Sequence, residues 1–93
     1  MAELSAVDLA ESLDSNEAIE AFLADAFETE DPARISKALG VVARIKGMAN
    51  VAGETGLSRE QLYNSLSEKG NPTLKTIIKI MQSWGIGLTV KHS

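Results

Sequence analysis

Residues 52–66 read AGETGLSREQLYNSL, and the fold turns on what Gly56 does between two short helical patterns. Just upstream, Met48, Val51, Ala52 and Thr55 keep helical spacing for about two turns. A glycine can then enter the left-handed conformation that halts a helix. Ser58 and Gln61 follow as a capping box, each side chain satisfying a free amide proton at the other residue. Leu57 turns inward, and Leu62 and Leu66 bury one side of the helix that begins there. Ala52 is small where the two helices cross, and a larger side chain would push them apart. Such a corner can lay its second helix in a DNA major groove while the first crosses the backbone.

Outward from this corner the chain reads as helices with legible ends. Asp31-Pro32 supplies a cap followed by proline at the first helical position. Ile35, Ala38, Leu39, Val42 and Ile45 then carry a helix over about 32–46, which Gly47 stops. Before it, Asn16 or Ser15 caps a helix reaching about Glu28, with Ile19, Phe22, Leu23 and Ala26 on its apolar side. Lys69-Gly-Asn-Pro72 reads as a turn in which glycine and asparagine tolerate left-handed backbone. Thr73 caps the last helix, where Leu74, Ile77, Ile78, Met81 and Trp84 form the apolar stripe. Gly85 ends it. Ile86 to Val90 alternates enough for a short strand, which would have to pair across a dimer or stay loosely formed.

The expected fold class is therefore all-α, about five helices around one core, with that possible C-terminal strand. Residues 16–93 are read as the helix-turn-helix domain. Residues 1–15 are read as an acidic, flexible segment in which Leu4, Val7 and Leu13 make a weak helical stripe, either a frayed end or a helix completed by a partner. Ninety-three residues allow one small core.

Charge is divided sharply along the chain. Residues 1–31 hold ten acidic side chains and no basic one, whereas residues 32–93 hold nine basic and three acidic, so −10 and +6 make up the net −4. Only the second region would attract a phosphate backbone. The chain has no cysteine, so disulfides, thiolate nucleophiles and cysteine-ligated metals are excluded. His92 stands alone as a metal ligand. Gly53 and Gly56 lack the lysine and the preceding strand of a phosphate-binding loop. The carboxylates line an exposed acidic stretch with no accompanying nucleophile, so no enzyme, metal or cofactor is expected. No signal sequence or membrane span is legible, and a cytoplasmic location is expected.

The polar residues of the second short helix carry the functional reading. Arg59 can pair its fork with guanine, Asn64 can bond adenine, and Glu60 can accept from cytosine or serve the helix dipole instead. Arg59, Glu60 and Asn64 are the expected base readers. Arg44, Lys46, Asn50, Ser58, Gln61, Tyr63, Lys69 and Lys75 are the expected backbone contacts or supports, helped by free amide protons at Ser58 to Gln61. Tyr63 suits packing or sugar–phosphate contact as well as a base. Lys79 and Lys91 read as solvated charges.

The run ARIKGMANVAGETGLSREQLYNSLSEKGNPTLKTIIKIMQSWGIGLTV, with DPARISKALG before it, resembles the probable addiction-module antidote proteins. The likeness covers about residues 16–90 and is specific in AxETGLSRExLY and in the stretch from GNPTL to GI. The resemblance implies a lambda-repressor-like helix-turn-helix, a small toxin partner of the RelE/HigB superfamily, and repression of the shared operon. It also implies that the base-reading positions are Arg59, Glu60 and, one turn later, Asn64. A homodimer on operator DNA is expected, because one helix reads only a few base pairs. In the rival reading the acidic helices are the working surface and the helix-turn-helix is scaffold for a protein-interaction module.

Overall fold

The computed structural model describes residues 13–91. Five helices follow one another: α1 Asn16–Glu28, α2 Pro32–Lys46, α3 Met48–Thr55, α4 Arg59–Ser65 and α5 Leu74–Ser83. The fold is all-α, as the periodicities require.

Four of the five helices start where a side chain satisfies an otherwise unpaired amide, whereas α3 follows Gly47 with no side-chain cap. Ser15, rather than Asn16, caps α1 by accepting the Ala18 N–H at 3.1 Å. Asp31 caps α2 through the Ala33 N–H at 3.0 Å, with Pro32 opening the helix. Thr73 caps α5 through the Thr76 N–H at 3.1 Å. Glycine halts three helices in left-handed backbone: Gly47 after α2, Gly56 after α3 and Gly85 beyond α5. At Gly85 the closure is a Schellman pair, with the Gly85 N–H on the Gln82 carbonyl and the Ile86 N–H on the Met81 carbonyl, each at 3.0 Å.

Helix α2 is the centre of the fold and packs on α1, α3 and α4, while α3 also packs on α4 and α5. Leu39, Val42 and Ala43 of α2 are sealed from solvent, and around them close Ile19 and Leu23, Val51, Leu62 and Leu66, and Ile80 with Met81 and Trp84. Leu13 joins this core as well. Leu4 and Val7 lie outside the described residues.

Three expectations are corrected. Leu74 and Ile78 do not sit in the core: they are 66% and 38% exposed, while Ile80, off the expected stripe, is fully buried. The apolar side of α5 is wider than its contact with the core, so Ile80, Met81 and Trp84 turn inward with Ile77 packed against them, while Leu74 and Ile78 stay outside. The run Ile86 to Val90 forms no strand, because its backbone has no ladder partner among the described residues. Gly70 does not use left-handed backbone. It is required by close approach, since a Cβ there would overlap the carbonyl oxygens of Asn64 and Ser65 at the end of α4.

Candidate nucleic-acid interface

Helix α4 is held by its buried face and its first turn. Leu62 is fully buried and Leu66 nearly so, which fixes the helix to α2 and α3. The capping box closes as expected, the Ser58 N–H bonding Gln61 Oε1 at 2.9 Å and the Gln61 N–H bonding Ser58 Oγ at 3.0 Å. That closure corrects the expectation of four open amides from Ser58 to Gln61. Two are consumed within the box, leaving those of Arg59 and Glu60 without a protein acceptor among the described residues.

The turn before α4 is rigid for local reasons. Gly56 stands at φ 77°, and its N–H returns to the Ala52 carbonyl at 2.9 Å. Buried Thr55 gives its hydroxyl to the Val51 carbonyl at 2.7 Å and takes the Leu57 N–H at 3.3 Å. Leu57 and Ala52 are both partly buried against the core. The geometry is that of two short helices meeting at a fixed corner.

Arg59, Glu60, Gln61, Tyr63 and Asn64 are all exposed on α4. Gln61 is committed to the cap, whereas the side chains of Arg59, Glu60 and Asn64 have no hydrogen-bond or ionic partner among the described residues. Free donors and acceptors on a helix whose other face is locked can be offered to an external partner without unfolding anything.

The supporting residues divide into groups. The Arg44 guanidinium lies 5.9 Å from the centre of the Tyr63 ring, a cation–π stack that joins the last turn of α2 to the outer face of α4. The individual readings of Arg44 and Tyr63 did not anticipate this contact, although two exposed residues of these types near one corner are its only sequence signal. The Lys46 ammonium reaches Asn16 Oδ1 at 3.4 Å, which draws the end of α2 toward the start of α1. Asn50 donates its side-chain amide to the Lys46 carbonyl at 3.1 Å and so helps close α2. Lys69 and Lys75 are exposed in the turn after α4 and on the first turn of α5.

Glu17, Glu20, Asp25 and Glu28 are exposed along α1. Lys91 is not merely solvated, because it forms an ion pair with Glu28. Asp31 is occupied as the α2 cap and lies 3.7 Å from Arg34. Among the described residues no helix is long and apolar enough to cross a membrane.

A family model described as probable addiction module antidote protein matches residues 3–92 of the chain. A Haemophilus influenzae protein described as uncharacterized is 37% identical over 91 residues, an alignment covering 98% of this chain and 94% of that relative. No solved structure matches.

Proposed function

The chain belongs to the family of probable addiction module antidote proteins, and we propose that it is an antitoxin that also represses its own operon by reading operator DNA with α4. An antidote implies a toxin to be countered, and the family is one of antidotes rather than enzymes. In this reading the toxin is a small ribonuclease of the RelE/HigB type, and the repressor is a homodimer acting in the cytoplasm.

The observation that carries the DNA reading is the set of unpartnered side chains Arg59, Glu60 and Asn64 on a helix that is capped, anchored and exposed. Their chemistry matches guanine, cytosine and adenine edges in a major groove. Arg44, Lys46, Asn50, Ser58, Gln61, Tyr63, Lys69 and Lys75 then contact or support contacts to the phosphates, which set position rather than sequence. The Arg44–Tyr63 stack favours this assignment, because it holds a guanidinium beside α4. The whole-chain charge is no obstacle, since residues 32–93 carry +6.

Fluorescence anisotropy of the protein on the DNA upstream of its own gene, against a scrambled duplex and across a salt series, tests the reading. Binding is expected to prefer the native sequence and to weaken linearly in log–log form with salt. Equal affinity for both duplexes at every salt concentration would leave α4 as scaffold and favour the protein-interaction reading.

The acidic side of α1 serves the second partner. A ribonuclease is basic where it grips RNA, and ten carboxylates with no cation across residues 1–31 complement such a surface. Glu17, Glu20 and Asp25 are exposed and make no ion pair among the described residues, so they can be neutralised without breaking a cap or the Lys91 contact. The triple variant Glu17→Gln/Glu20→Gln/Asp25→Asn is expected to associate with the toxin about tenfold more slowly at low salt, with a flatter salt dependence. Stopped-flow mixing of the two proteins measures this, and an unchanged association rate would remove α1 from the toxin surface.

A further inference from the structure

Residues 86–91 leave the end of α5 as a run with no helix, turn or ladder. The Ile86 N–H is spent on the Met81 carbonyl, and residues 87–91 make no backbone–backbone hydrogen bond among the described residues. The far end of the run is tied to α1 by the Lys91–Glu28 ion pair. Between those two anchors Leu88 is 43% exposed and Val90 is 96% exposed.

We infer that residues 86–90 are the seam of the homodimer, each copy pairing this run antiparallel with the same run of a second copy about a two-fold axis at Leu88. This rests on the reading that two copies act on one operator, and it adds where they join. In an extended strand the backbone groups of successive residues point to opposite sides. With the Ile86 N–H directed at its own domain, the outward edge belongs to Gly87 and Thr89. Pairing about Leu88 sets Gly87 opposite Thr89 of the second copy, and reciprocally, which satisfies the N–H and C=O groups of both residues.

The side chains fit the same register. A two-fold axis at Leu88 sets Ile86 opposite Val90 of the second copy and Leu88 opposite Leu88, so every apolar residue of the run meets an apolar one. A slip by one residue would set apolar residues against Gly87 and Thr89. Charge does not oppose the pairing: residues 85–93 contain no acid, and Lys91 is held by Glu28 of its own chain.

The absence of cysteine from the chain makes a direct test available. In an antiparallel pair, residues opposite each other without mutual hydrogen bonds have Cα atoms about 4.5 Å apart, within the roughly 4.4–6.8 Å that a disulfide spans. Leu88→Cys in the full chain is therefore expected to form a disulfide-linked dimer under mild oxidation, at least tenfold faster than Val90→Cys. The latter residue would stand about 13 Å from its counterpart, at four strand steps. Light scattering is expected to give a dimer for the unmodified protein and a monomer for Leu88→Asp/Val90→Asp, with circular dichroism unchanged because both side chains lie outside the core.

A monomeric unmodified protein, equal cross-linking at the two positions, or a dimer that survives the double substitution overturns the seam. So does protection of residues 86–90 from hydrogen exchange that appears only with toxin, which would make the toxin the occupant. Anisotropy on the same samples separates the two readings. Sequence-preferring DNA binding without the Leu88 cross-link removes the seam alone, and the cross-link without DNA preference removes the repressor alone.

Discussion

Replacing Arg59 and Asn64 together by alanine is expected to abolish the preference for operator over scrambled DNA while leaving the fold intact. Both side chains are exposed and unpartnered among the described residues, and the helix beneath them is held by Leu62, Leu66 and the Ser58–Gln61 box. Two bidentate base contacts at ~1–3 kcal/mol each amount to roughly 2–6 kcal/mol per half-site. Non-specific binding should persist, because Arg44, Lys69 and Lys75 remain. The measurement is the ratio of native to scrambled affinity at fixed salt, with the melting temperature recorded alongside. A variant that folds normally and keeps its preference would move the reading surface off α4.

Gly40→Ala should destabilise the protein, against the ordinary rule for helix interiors. Replacing a mid-helix glycine by alanine usually stabilises by about 0.5–1 kcal/mol. Here Gly40 is buried within α2, and a methyl group would overlap the Leu66 carbonyl at the end of α4. The obstacle is backbone, which no rotamer change relieves. Overpacking of this kind costs about 1–3 kcal/mol, and each kcal/mol lowers the melting temperature of a domain of this size by about 4–8 °C.

Gly53→Ala is the control. Gly53 lies inside α3 with open space where its Cβ would stand, so that change should raise the melting temperature by a few degrees. If both glycines respond alike in thermal melts, α2 and α4 do not approach as closely as described. Because Leu66 closes α4, Gly40→Ala should also displace the reading helix and weaken operator binding.

These two predictions mark different depths of legibility. The exposed face of α4 could be read from a dozen residues, because Leu62 and Leu66 name the buried side and Ser58 and Gln61 name the start. The role of Gly40 could not. Within its own helix it resembles any tolerated glycine, and the atom that makes it indispensable belongs to Leu66. The Arg44–Tyr63 stack and the Lys91–Glu28 pair escaped for the same reason, each joining residues that are remote in the chain.

The sequence by itself determined the five helices, the caps at Asp31, Ser58 and Thr73, the corner at Gly56 and the opposed charge of the two regions. Those features depend on hydrogen bonds and periodicities that close within about four residues. Tertiary structure alone decided which side of α5 is buried, so that Ile80 is sealed and Leu74 is not, and why Gly40 and Gly70 must lack a side chain. It also left Ile86 to Val90 without a ladder. Burial, close approach and strand pairing depend on the surface that arrives from elsewhere, and no local pattern specifies that surface.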